Sequence, residues 1–269
     1  MKQTWMGPAA FALAAGVLMV SCNKQPLQQD AALQDGRSIS SEGRATNTFY
    51  GPQVHIGNGK GRTFILLEKT GRPLEMGIEM TEASMFGLPQ DEHDFAAATF
   101  ILPMHQKALG ATAFDHLTVN WNVQGHEPSG VFNIPHFDFH FYMTTVEQQM
   151  AIPPYPVNPA AFDNLPPPAS WPLAFFATPG GVPQMGKHWS STSFAPPFTH
   201  TMIYGSYAGR FTFMEPMITR RFLMDGTRVD VPYSPLRGFP VAGKWYPQTY
   251  RIYKEGGKHY VSLSNFTWH

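Results

Sequence analysis

The sequence predicts an all-β domain: a sandwich or barrel of short antiparallel strands, with a few short helices and one long Pro-rich loop. Three observations carry that expectation. Twenty-five Pro and 24 Gly punctuate 269 residues, too densely for long helices. Aromatic residues make up 14% of the chain and fall in short alternating runs, the pattern of half-buried strands. No unit of roughly 20–50 residues recurs, which removes propellers and solenoids.

The elements follow in chain order. Residues 1–22 read as a lipoprotein-type signal peptide. Lys2 supplies a positive start, and "AAFALAAGVLMV" (Ala9–Val20) is an apolar run of signal-peptide length, too short to span a bilayer. It leads into Ser21 and Cys22, the only cysteine. "LMVSC" resembles a bacterial lipobox, although Met19 stands where Leu, Ile or Val is usual; ordinary signal-peptidase cleavage is the alternative. The expected location is the periplasmic side of the outer membrane, anchored by a lipid on Cys22. Asn23 resembles an outer-membrane sorting context, and a secreted form is the second option. A lone cysteine forbids intramolecular disulfides, so the fold rests on packing.

Residues 23–48 are polar, with hardly a large apolar side chain, and read as a flexible tether. A single β-rich domain is expected over 49–269. "FYGPQVHI" and "RTFILLEK" flank the turn "GNGKG" as a hairpin, and "KTGRP" turns the chain into "LEMGIEM". "TEASMFGLP" reads as one helical turn capped by Thr81 and closed by Gly87 and Pro89. "DHLTVNWNV" and "IPHFDFHFYMTT" are strands separated by "QGHEPSG", and "VEQQMA" is a short helix. Residues 152–183 are Pro-rich and lack the donors of a central strand. Long irregular segments of this kind are functional or cover a site. "FTHTMIYGSY", the turn at Ala208-Gly209 and "RFTFMEPMITRRFLM" follow as strands, with Arg220-Arg221 on a strand's solvent side. "RVDVPY" and the hairpin "TYRIYK–EGG–KHYVSLSNF" close the domain.

Nineteen basic residues balance 19 acidic ones, so no net field recruits nucleic acid. The chemistry lies elsewhere. "PHFDFHFYM" alternates His136, Asp138 and His140 with Phe137, Phe139 and Phe141. On a strand these sets face opposite ways, the Phe row into a core and the polar row toward a site. Eleven His and one Cys leave imidazole and carboxylate as the ligand types, suited to zinc first and iron second. Strand residues i and i+2 stand about 6.6 Å apart, within reach of one ion, whereas His136 and His140 stand roughly 13 Å apart. One of the three is therefore expected to support rather than ligate. His188, after the turn in "QMGKHW", and Glu215, in "FTFMEPM" on a face shared with Phe211 and Phe213, complete the expected metal set around a single cation. His126, Glu127 and His200 stand in reserve, with Glu127 or a supporting His as a general base. The bland alternative has His136 and His140 capping hydrogen bonds in a polar interior and pairs Glu215 with Arg210 or Arg221 on the surface. "DEHD" (Asp91–Asp94) reads as a solvated loop, "GNGKGR" lacks the context of a phosphate loop, and "GSYAG" is no nucleophile elbow.

"NWNVQGHEPSGVFNIPHFDFHFYM", "VPQMGKHW" and "FTHTMIYGSYAGRFTFMEPM" resemble blocks of an uncharacterised bacterial exported domain family, typified by a Thermus protein under extracytoplasmic sigma/anti-sigma factor control. The resemblance runs over roughly 50–266. It implies an exported β-rich domain without an assigned activity. It places His126, His136, Asp138, His140, His188 and Glu215 at motif positions. The family pattern continues past the His-Trp pair with an acidic residue, which "HWSSTSFAPPF" lacks.

Three functions are consistent with these residues. The first is an exported, lipid-anchored metal-binding protein serving envelope stress or metal handling. The second is a metal-dependent enzyme of hydrolase or oxygenase type. The third is a structural homo-oligomeric module without metal. No motif names a substrate.

Overall fold

The computed structural model describes residues 36–39 and 45–269, in which antiparallel strands outweigh a few short helices. The chain opens with β1 (Gly36–Ile39), β2 (Ala45–Tyr50), β3 (Val54–Ile56), β4 (Gly59–Glu68) and β5 (Pro73–Thr81). β6 (Thr99–Pro103), α1 (Gln106–Ala111), β7 (His116–Asn122), β8 (His136–Tyr142) and α2 (Val146–Met150) come next. The Pro-rich segment holds α3 (Pro159–Asp163) and β9 (Phe175–Ala177), and leads to β10 (Lys187–Ser191), β11 (His200–Tyr207) and β12 (Arg210–Thr219). α4 (Arg220–Asp225), β13 (Val229–Pro232), β14 (Trp245–Tyr246), β15 (Thr249–Glu255), β16 (Lys258–Ser264) and β17 (Thr267–Trp268) complete it.

Two antiparallel sheets form a sandwich. The first runs β1-β2-β4-β5-β16-β15-β13, with β3 also paired to β4; the second runs β6-β7-β8-β12-β11-β10-β9. Their inner faces meet in one apolar core. Ile78, Val261 and Leu263 come from the first sheet, and Val119, Phe137, Phe139, Phe141 and Ile218 from the second. Each fully buried side chain of this kind contributes about 1.5–3 kcal/mol. β8 is buried along its whole length, on both faces. Its outer face is covered by a smaller apolar cluster of Phe132 and Phe198, from the β7–β8 and β10–β11 connections, with Ile203 of β11 and Met217 of β12. The polar row of β8 therefore faces a second packed layer rather than bulk water.

The expected hairpins are present, and the "EGG" turn has both Gly256 and Gly257 at positive φ (+55° and +73°), as a two-residue hairpin requires. "VEQQMA" is α2, opened by a capping box of Thr145 and Gln148. Four expectations are corrected. Arg220-Arg221 does not lie on a strand: Thr219 accepts the Phe222 N–H as an N-cap and Gly226 ends the turn at positive φ, so α4 begins at Arg220. Helix start and stop signals there override an aromatic, strand-like composition. The turn after Thr81 is a 3-10 turn, Glu82–Met85, and the Thr81 hydroxyl accepts the Lys60 N–H instead of capping it. Of the polar stretch expected as a tether, Gly36–Ile39 and Ala45–Thr48 are strand, and β2 pairs with β4 from Thr46. The signal segment and Cys22 lie outside the described residues. Lastly, a register shift opposite Gly205/Ser206 breaks the alternation of β12. Phe211 turns into the core against Trp189 and Tyr204, while Phe213 stays on the face of Glu215.

Candidate metal centre

Strand register assembles the polar face. On β7, Thr118, Asn120 and Asn122 stand opposite His140, Asp138 and His136. On β12, Met217 and Thr219 stand opposite Asp138 and His136, and the same register carried past Pro216 sets Glu215 beside His140. Two strands further on, His188 of β10 pairs with Gly205 of β11, which pairs with Phe213. β10 is seated close because Gly186, at φ +101°, stands where a Cβ would lie 2.4 Å from the Ser206 carbonyl oxygen.

The residues expected to meet around one cation stand instead as two groups. The donor atoms of His140, His188 and Glu215 lie within 4.8 Å of one another, and so do those of His126, His136 and Asp138. β8 is regular, so its His136 and His140 ends cannot converge, and Asp138 sides with His136. In the first group, His140 Nε2 is 3.2 Å and His188 Nε2 is 3.8 Å from Glu215 Oε2. Phe213 packs edge-on against both imidazoles. In the second, His136 Nε2 is 3.2 Å from Asp138 Oδ1, and His126 Nε2 is 3.5 Å from Asp138 Oδ2.

These contacts are close, yet four of the atoms lack a hydrogen-bond partner: His136 Nε2, Asp138 Oδ1, His140 Nε2 and Glu215 Oε2 are all buried and unpaired. Leaving such groups unpaired costs on the order of 1–3 kcal/mol each. Donor atoms around a tetrahedral zinc ion, each at about 2.0–2.1 Å, stand roughly 3.3 Å apart. The two 3.2 Å contacts match that edge, and the contacts at 3.5 and 3.8 Å are longer than it.

Electrostatics separate the two groups further. Burial pushes His140 down to about 4 and His188 to about 3, so both imidazoles are neutral at neutral pH. Burial, then the charge of Asp138, pushes Glu215 well above the usual carboxylate range. Burial also opposes the charge of Asp138, but the neighbouring His136 and His126 hold its carboxyl well below that range. For His126 burial works against protonation, and its contact with and attraction to Asp138 win, raising it to about 9.

The other residues singled out from the sequence fall elsewhere or nearby. Among the described residues Glu215 pairs with His140 and His188 rather than with Arg210 or Arg221. His200 is not part of either group: its Nδ1 lies 2.8 Å from the Tyr250 hydroxyl on β15. Glu127 accepts the Ser129 backbone N–H within its own exposed loop. Asp91–Asp94 are exposed, as a solvated loop requires. His126, held only in reserve on sequence grounds, is a full member of the second group. Asn122, not singled out at all, donates from Nδ2 to Asp138 Oδ2 at 2.7 Å. Its alternation with Trp121 in "NWN", on the strand preceding β8, was the available signal.

Residues 69–121 match the model of the TTHB210-like family, described as hypothetical protein TTHB210. The match agrees with the resemblance to an uncharacterised family typified by a Thermus protein. It spans roughly a fifth of the chain, from the turn before β5 to Trp121 in β7, and stops short of all six donor residues. No curated protein and no solved structure matches the chain.

Proposed function

We propose that this is an exported, lipid-anchored protein that binds a divalent cation through His140, His188 and Glu215. One observation carries the reading: His140 Nε2 and Glu215 Oε2 face each other at 3.2 Å, buried and without a hydrogen bond, and His188 Nε2 lies 3.8 Å from the same oxygen. A bare imidazole lone pair beside a carboxylate oxygen is stabilised by a cation between them. Imidazole and carboxylate donors without thiolate favour zinc, with iron the second choice. Export rests on the apolar run ending at Cys22. A protein that holds a cation at the envelope serves metal handling or envelope stress.

The test is the metal content of the purified protein beside His140→Ala and Glu215→Ala. The wild type carries the cation and both variants lose it; full occupancy in both variants would reject the assignment. Detergent-phase partition of the wild type, lost in Cys22→Ser, tests the anchor.

A catalytic reading has one observation in its favour. Three protein donors, rather than four, is the number that catalytic zinc sites use. Spectroscopy on the cobalt-substituted protein separates the two. A fourth protein ligand supports a structural cation, and a water that azide displaces supports catalysis.

A further inference from the structure

We infer that His126, His136 and Asp138 form a second cation site, separate from the His140–His188–Glu215 site, and that this second site exchanges its cation while the first retains its own. The inference rests on the metal-binding reading above and extends it to two ions of unequal character.

The hydrogen bonds fix which atoms face the site. His136 Nδ1 lies 2.7 Å from the Ile134 carbonyl, and a carbonyl only accepts, so Nδ1 carries the ring proton. His136 Nε2 is then a lone pair, 3.2 Å from Asp138 Oδ1, and neither atom has a partner. A cation between these two atoms relieves the contact, and the same cation is within reach of His126 Nε2. His126 is oriented the same way, with Nδ1 donating to the Glu127 carbonyl at 2.7 Å and Nε2 turned to Asp138. A backbone carbonyl on Nδ1 and a free Nε2 is the arrangement that orients metal-binding histidines. A proton on His126 would compensate Asp138 Oδ2 but would leave the His136 Nε2–Asp138 Oδ1 contact unresolved.

Two ions are needed rather than one. The donor atoms gather as two sets of three, each within 4.8 Å, and His136 and His140, one in each set, stand roughly 13 Å apart on a regular strand. The sites also differ in support. His140, Glu215 and His188 all come from strands, and the first two are fully buried. His126 comes from the exposed β7–β8 connection, and its side chain is 40% exposed. Ligands on rigid elements hold geometry, whereas a loop ligand can leave without disturbing the sheet. Solvent reaches the second site through His126, so a cation enters and leaves there.

The experiment uses the full chain, stripped with chelator, titrated with zinc alone, and then given a brief pulse of EDTA. We expect two zinc ions per chain, one removed by the pulse. His126→Ala should bind one, which survives the pulse; Glu215→Gln should bind one, which does not. If Glu215→Gln fails to fold, His188→Ala takes its place. One zinc in the wild type, lost equally in either variant, would overturn the second site and leave the metal-binding reading standing. No zinc at all would sink both. Two zinc ions stripped at the same rate would refute the division of labour, and two retained in His126→Ala would refute the ligand assignment.

Discussion

His188 on β10 reaches Glu215 on β12 over the strand between them, with 3.8 Å separating Nε2 and Oε2. The residue paired with His188 on that intervening strand is Gly205, and the space above its Cα is filled by the Phe213 ring. The ring in turn packs against both His188 and His140. One missing Cβ thus sets the position of two imidazoles.

Gly205→Ala tests that dependence. The added Cβ would stand 2.0 Å from Phe213 Cε1, and the ring is fully buried, so it must shift as a rigid body into the imidazoles. Overpacking of this kind costs about 1–3 kcal/mol. Zinc affinity at the His140–His188–Glu215 site should fall along with the unfolding midpoint, measured by competition titration and urea denaturation. Unchanged affinity would mean that Phe213 does not position these ligands.

Asn122→Ala addresses the other site. Asn122 Nδ2 holds Asp138 Oδ2 at 2.7 Å and leaves Oδ1 facing His136. Loss of such an orienting partner lowers metal affinity by roughly 10–100-fold. The exchanging zinc should weaken by that factor while the retained one keeps its affinity; equal weakening of both would contradict separate sites.

How much of this was legible in the sequence follows from range. Period-2 alternation is local, so "PHFDFHFYM" disclosed both the strand and its polar face, and the β hairpins announced themselves through Gly-rich turns. Pairing between distant strands is not local. Nothing in the order of residues says that β12 lies beside β8 with Glu215 level with His140, or that β10 sits two strands away. The register shift that turns Phe211 inward depends on how β11 and β12 meet, and defeats a simple count of alternate positions. His126 hides in a loop that reads as a solvated connection. It is placed by Phe132, which packs on Phe198 and Met217 of the covering cluster. The split into two groups was implicit in the roughly 13 Å between His136 and His140 on a regular strand.

Acid should destabilise the metal-free protein through its buried histidines, those outside the two donor groups included. Burial holds His259 below its ordinary value of 6.5, and the same is true of His200. Glu82 and Lys254, which face His259, pull in opposite directions and leave burial dominant. A folded-state value below the unfolded one means that the unfolded chain takes up the proton first. Stability is therefore unaffected above about pH 6.5 and falls as pH drops below it. In excess chelator the urea midpoint should be lower at pH 5.5 than at pH 7.5, and His259→Gln should flatten the slope. A midpoint that rises on acidification would show that other groups govern this window.

The two faces of β8 can be separated by neighbouring substitutions. Phe139 and His140 are consecutive and both fully buried, but Phe139 packs in the core between the sheets whereas His140 faces Glu215. Phe139→Ala removes a ring from close-packed surroundings and should cost about 3–5 kcal/mol, with zinc stoichiometry intact under conditions where the variant is folded. His140→Ala removes an imidazole whose Nε2 has no partner in the metal-free fold, so part of its cavity cost is offset by relief of an unpaired polar atom. Its metal-free stability should change less than that of Phe139→Ala, while the retained zinc is lost. Both quantities come from urea unfolding in chelator and zinc counting on the same preparations. If His140→Ala proved the more destabilising in the absence of metal, the imidazole would be a structural member of the outer layer, and the unpaired atoms around it would need another explanation.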